Sequence, residues 1–213
     1  RDTDRSRGLG DVYKRQVNKN PDLAAIKMEV CRNFGPEDNF LQKVRNLATE
    51  RGIVLIFDEC TSGFRETFGG LYLKYGVEPD MAIFSKTLGN GYGICAVVGR
   101  KNIMEAAQGS WISSTFWTER IGPTAALAAL KVMERTKSWE IITEIGNDNK
   151  KRWQELADKY GLQIEQWGIP ACFGKPGSVL YYNKQYYIEK RSLGFLLSLI
   201  HISEPTRPIS ISY

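Results

Sequence analysis

Ile53-Val54-Leu55-Ile56-Phe57 runs straight into Asp58-Glu59, and Met81-Ala82-Ile83-Phe84 runs into Ser85-Lys86. Neither run alternates apolar with polar residues, which is the pattern of a strand covered on both faces. Working outward, residues 23–30 (LAAIKMEV) read as an earlier strand and residues 94–98 as a later one. Residues 38–51 place Phe40, Leu41, Val44, Leu47 and Ala48 on one helical face, with Gly52 as the stop. Strand, helix, strand alternation predicts an α/β domain with a mainly parallel sheet and right-handed crossovers.

Beyond the sheet, Pro123 suits the first turn of a helix through Ala125, Leu127, Leu130, Val132 and Met133 to about Thr136. A second helix from about Trp139 sets Ile142, Ile145, Trp153, Leu156 and Tyr160 at helical spacing and closes at Gly161. From Leu162 the pattern shifts to short strands around Ile164, Trp167, Phe173 and residues 179–182, the opening of a smaller α+β domain. The two ends read differently. Residues 1–16 are polar and Arg-rich, and residues 196–213 mix Ser, Pro and β-branched residues without a clean period. Both resemble translated adapter sequence, so the native fold is expected within residues 17–195.

With 213 residues, 42% hydrophobic and 25% charged, the composition is that of an ordinary globular protein. No apolar run approaches the roughly 18 residues of a spanning helix, and no secretory signal opens the chain, so a cytoplasmic location is expected. Five of the 29 Lys+Arg residues fall in the first sixteen positions and one, Arg207, beyond residue 195, which leaves 23 basic against 20 acidic residues over 17–195. That mild excess, without a basic stripe interleaved with aromatics, excludes nucleic acid and anionic membrane as expected partners. Cys31, Cys60, Cys95 and Cys172 form no C-x-x-C pair, so neither a metal site nor a disulfide framework is expected. His201 is the one histidine, in the distrusted C-terminal stretch, so proton transfers fall to Lys, Asp, Glu, Tyr or Cys.

The chemistry-bearing residues stand at the strand ends, where ligands bind in open parallel sheets. Lys86 opens Lys-Thr-Leu-Gly-Asn-Gly-Tyr-Gly, which is no dinucleotide loop: Ile94 stands where the last glycine is required, and a strand follows instead of a helix. A lysine beside a carboxylate, without histidine, suits Schiff-base chemistry, since a desolvated amine attacks carbonyls and a pyridoxal ring needs an acid at its nitrogen. The plainer alternative is that Lys86 snorkels to solvent and Asp58 caps a loop.

Three ordered stretches carry a resemblance: 55–65 (LIFDECTSGFR), Pro79-Asp80 through Ser85-Lys86 to 88–93 (LGNGYG), and 113–116 (SSTF). Residues 23–135 thereby resemble the second half of the large domain of class III, fold type I pyridoxal phosphate enzymes, the aminotransferase group that includes glutamate-1-semialdehyde aminomutase. The resemblance implies a partial large domain over residues 17–137. It also implies a linking helix with a truncated small α+β domain over 138–195, and tails over 1–16 and 196–213.

Carried over by position, Lys86 resembles the lysine that binds pyridoxal 5′-phosphate and then shuttles a proton. Asp58 resembles the aspartate that keeps the ring nitrogen protonated, and Cys60 stands where an aliphatic residue usually packs on the ring. Thr115 resembles the threonine that reaches the cofactor phosphate of the other subunit of a homodimer; as a residue in its own right it equally suits a turn. Glu29 matches a glutamate near the site. Arg65 is expected to be structural, with substrate-carboxylate binding as the minor alternative. Trp111, Trp117 and Glu119 are candidates for shaping the pocket, and 117–121 (WTERI) departs from the family's usual turn. The family's phosphate loop and ring-stacking aromatic are not found in this chain, which therefore reads as a fragment expected to have little activity alone.

The implied function is transamination between a small amino donor and a carbonyl acceptor. A 2,1-aminomutase of the glutamate-1-semialdehyde type is the alternative, and a non-catalytic ligand-binding or assembly domain is the rival of another class.

Overall fold

Leu55 and Phe57 are fully buried on one face of strand β2 (Val54–Asp58), while Val54, Ile56 and Asp58 on the other face are half-buried. The run is therefore covered completely on one side only, although its composition predicts cover on both. The computed structural model describes residues 13–31, 35–113, 115–116, 118–161, 165–166 and 171–172.

The full cover comes from α2 (Phe40–Arg51), whose Leu41, Val44 and Ala48 form one apolar stripe and join Leu55 and Phe57 in the main core. This helix ends where its sequence predicts. Gly52 takes the left-handed conformation at φ 65° and donates to the carbonyls of Ala48 and Thr49, a conformation open to glycine without steric cost. Ile53 then donates to the Ala48 carbonyl at 2.8 Å, so the chain turns directly from helix into β2.

Four strands form the sheet in the order β1 (Ala25–Met28), β2, β3 (Met81–Phe84) and β4 (Ala96–Gly99). The first three are parallel and β4 joins antiparallel, an arrangement that agrees with the mainly parallel sheet expected. Register fixes which side chains share a face: Lys27 pairs with Ile56, and Asp58 pairs with Ile83. The start of β3 is clamped to the middle of β2 by Asp80. Its backbone N–H donates to the Leu55 carbonyl at 2.8 Å, and its Oδ2 accepts the Leu55 N–H at 2.8 Å and Arg45 Nη1 at 2.7 Å.

A helix over residues 13–19, labelled α1, precedes the sheet. Its Val17 is buried in the core and Tyr13 meets Phe40 edge-on, with ring centroids 5.4 Å apart. Its first turn falls within residues 1–16, the stretch the sequence analysis sets aside. A second core cluster joins Ala82, Phe84 and Leu88 to Ala126 of α4 (Ile121–Thr136). The sequence does not foretell the 3₁₀ turn at Leu71–Tyr75, nor α3 (Lys101–Met104) with its 3₁₀ extension Glu105–Gly109. Helix α5 (Ser138–Lys159) begins close to its expected start, but Ile145, Leu156 and Tyr160 of its apolar spacing stay exposed.

The chain divides into two compact units: Arg1–Lys150 with Trp167–Ile169, and Lys151–Gln166 with Pro170–Tyr213. In the second unit, β5 (Glu165–Gln166) and β6 (Ala171–Cys172) pair antiparallel, Glu165 opposite Cys172. The strand expected over 179–182 and the helix expected from Tyr186 lie outside the described residues. Among the described residues no helix is long and apolar enough to cross a membrane.

Candidate active site

All the candidate residues that are described belong to the first unit. Asp58 is the last residue of β2 and Lys86 stands two residues beyond β3, so the parallel pairing of these strands delivers a carboxylate and an amine to the same sheet edge. Chain direction alone does this, because parallel neighbours end on the same side.

Asp58 is held from two sides. Lys27 of β1 donates to Oδ2 at 2.8 Å, and the Cys60 backbone N–H donates to Oδ1 at 3.2 Å. The Lys27 ammonium is the main cause that holds the Asp58 carboxyl below the usual carboxylate range. Partial burial pushes the other way and the Cys60 donors add to the lowering. Asp58 is thus an anion at neutral pH, with lone pairs left for a further donor.

Lys86 is exposed, and its Nζ donates to Thr61 Oγ1 at 2.8 Å. Thr61 follows Asp58 by three residues, so this bond brings the amine to the loop that leaves the carboxylate's own strand. The Lys86 backbone has φ 41°, in the left-handed region that a side chain with a Cβ occupies at a cost of about 1–2 kcal/mol. Strain of this kind gathers at functional sites. It is sustained by a tight turn in which Leu88 N donates to the Ser85 carbonyl at 2.9 Å and Asn90 N to the Lys86 carbonyl at 3.0 Å.

Beside the Lys27 cation, thiols and hydroxyls adjoin the two residues. Burial pushes the Cys60 thiol up from its ordinary value, and the adjacent Asp58 carboxylate adds to the rise, so Cys60 is a protonated, weakly polar side chain. Cys95 Sγ donates to Ser85 Oγ at 3.2 Å on the far side of the Lys86 turn. The neighbouring Glu59 has a different task. Its Oε1 accepts the Tyr72 N–H at 3.1 Å and its Oε2 accepts the Ser62 hydroxyl, which shapes the loop, and its full burial keeps it away from a ligand. Gly63 lets this loop close: a Cβ there would stand 2.7 Å from Phe84 Cδ1 and 2.8 Å from the Glu59 carbonyl oxygen.

None of the bonds described for Asp58 and Lys86 runs to the other sequence candidates. Thr115 sits exposed in a turn before α4, and it is not among the described partners of Asp58 or Lys86. Glu29 is exposed just past β1, where its charge acts on Lys27. Arg65 is half-buried, and its Nε has no acceptor among the described residues. Trp111 and Glu119 are exposed, and Trp117 lies outside the described residues. Sequence reasoning missed Lys27 and Thr61. The first carried a signal, a lysine interrupting the apolar strand 23–30, whereas Thr61 is revealed only by the turn that brings Lys86 back to it. Among the described residues no group of three or more His, Cys, Asp or Glu could hold a metal ion.

A comparison with protein families matches residues 12–168 to the family described as Aminotransferase class-III. Glutamate-1-semialdehyde 2,1-aminomutase of Methanocaldococcus jannaschii is 32% identical over 85% of this chain and 44% of its own length. 3-Aminobutyryl-CoA aminotransferase of Cloacimonas acidaminovorans is 33% identical over 63% of this chain and 33% of its own length. The chain therefore spans less than half the length of these relatives. Among solved structures, an omega-transaminase from Sphaerobacter thermophilus superposes with a TM-score of 0.67 at 26% identity, covering 74% of this chain and 39% of that one.

Proposed function

The chain belongs to the class-III aminotransferase family, and from that membership we propose that the whole protein transfers amino groups between small amino and carbonyl compounds with pyridoxal 5′-phosphate. The observation that carries this reading is the placement of an ionised Asp58 and an amine, Lys86, at the same ends of neighbouring parallel strands.

The residues present suit that cofactor. When bound, it supplies an aldehyde that condenses with amines and a ring that takes up the electron pair of a deprotonated carbon. Asp58 is the acceptor for the ring N–H, because it is anionic and only partly buried, and the Lys27 and Cys60 donors leave its carboxylate a lone pair for a further donor. Lys86 is the covalent anchor and, once released, the base that lifts a proton from one carbon and returns it to another. Thr61 orients the Lys86 amine through its hydroxyl, and the neutral Cys60 thiol packs beside the ring without competing as a nucleophile.

Thr115 is assigned to the cofactor phosphate of a second subunit, so the reading includes a homodimer. Trp111, Ile112 and Phe116 support it, because they leave an apolar patch exposed around this residue. The unbridged Cys60 and Cys95 suit a reducing compartment such as the cytoplasm.

Adding amino donors to the cofactor-loaded whole protein should convert the bound cofactor to its pyridoxamine form, a change visible in absorbance and lost in Lys86→Ala. Absence of conversion with every donor would favour the non-catalytic rival. The 2,1-aminomutase reading stays beside transamination because the Methanocaldococcus jannaschii relative of that name matches 85% of this chain. Release of a carbonyl product marks transfer, and recovery of an isomerised amine marks the mutase.

A further inference from the structure

The most informative group outside the residues already assigned is Lys27. It lies in the middle of β1, paired with Ile56, so it shares a sheet face with Ile56 and Asp58. Its Nζ reaches Asp58 Oδ2 at 2.8 Å while its side chain stays 56% exposed. With the Cys60 N–H on Oδ1 at 3.2 Å, donors hold both oxygens of the Asp58 carboxylate, and the Cys60 thiol adds to them. Among the described residues, the charged groups that face this carboxylate are Lys27 itself and, through Lys27, Glu29 just past the end of β1. The Lys86 amine is turned to Thr61.

We propose that Lys27 is a positioning residue for the ring-binding carboxylate, and that as a second cation on Asp58 it lowers the fraction of cofactor ring nitrogen that is protonated. This rests on the reading of Asp58 given above. Two cations that share one carboxylate each gain less from it than one cation alone, because each repels the other across the same pair of oxygens. A unit charge about two hydrogen bonds away in a half-exposed site changes a protonation ratio on the order of tenfold. The consequence is chemical. Lys27 makes the ring a weaker electron sink than a lone aspartate would.

The test uses the whole protein loaded with pyridoxal 5′-phosphate carrying ¹⁵N at the ring nitrogen, at the pH where the wild-type ring is half-protonated. The ¹⁵N shift is read for wild type, Lys27→Met, Lys27→Arg and Asp58→Asn, with circular dichroism as the check on folding. Lys27→Met should move the resonance toward the protonated limit, a rise of about tenfold in the protonated-to-neutral ratio. Lys27→Arg should hold the wild-type position and Asp58→Asn should move it toward the neutral limit. A Lys27→Met resonance that stays put, or that moves toward the neutral limit, overturns the proposal even when Asp58→Asn behaves as expected. An Asp58→Asn resonance that does not move removes the reading of Asp58 itself, and the proposal falls with it.

Discussion

Replacing Asp80 by alanine tests the clamp that sets Asp58 and Lys86 in register. Asp80 is only 5% exposed, and its Oδ2 holds both the N–H of the fully buried Leu55 at 2.8 Å and Arg45 Nη1 at 2.7 Å. Alanine leaves that buried N–H without an acceptor, which costs about 1–3 kcal/mol. It also strips a mostly buried arginine of its anion, and breaking such a pair costs about 3–5 kcal/mol in all. Arg100, at 3.1 Å from Oδ1, has a side chain 55% exposed and adds little. The expected loss of about 3–5 kcal/mol lowers the midpoint of thermal unfolding by about 6–20 °C.

Urea titration followed by circular dichroism, with Arg45→Ala and the double variant, measures the loss. The double should cost less than the sum of the singles because the two share one interaction. The pH dependence has a definite sign. Burial raises the Asp80 carboxyl, but the Leu55 N–H and the two arginines outweigh it and hold it below its ordinary range. A depressed carboxyl stabilises the fold fully above its unfolded value, about 3.9, and this stabilisation is lost as pH falls through the folded value. Asp80→Ala should therefore lie closest to wild type in acid and farthest from it at neutral pH. A variant within about 1 kcal/mol of wild type at neutral pH, or a gap that widens in acid, would refute the reasoning.

Three further outcomes are expected. Lys86→Gly should be about 1 kcal/mol more stable than Lys86→Ala in the same titration, because glycine accepts φ 41° and alanine retains the strain. Gly63→Ala should destabilise by about 1–3 kcal/mol in a thermal melt, since its Cβ would press on the Phe84 ring at 2.7 Å and on a backbone carbonyl at 2.8 Å. Thr61→Val removes the acceptor of Lys86 Nζ; it should slow borohydride-trapped labelling of Lys86 by less than about tenfold and leave stability within about 0.5 kcal/mol.

Apolar continuity made β2 and β3 legible in the sequence, and the glycine after the α2 stripe made its end legible to the residue. What stayed hidden depends on contacts distant in sequence. Arg45 and Asp80 are 35 residues apart, and nothing local marks either as the other's partner. The antiparallel entry of β4 follows from how the turn after Lys86 folds back, a turn whose glycines could be read but not its direction. The expectation of cover on both faces of β2 came from counting apolar residues, yet Ile56 and Asp58 face a half-open side. At the site, strand ends pointed to Asp58 and Lys86. Lys27 and Thr61 needed the register, because a lysine in a strand reads as a polar interruption until its neighbour across the sheet is known.

Reduction of the cofactor-loaded whole protein with borohydride, followed by digestion and peptide mapping, tests the central claim most directly. The pyridoxyl group is expected on Lys86. Recovery of the Lys86 peptide unmodified, with the label on another lysine or on none, would contradict it.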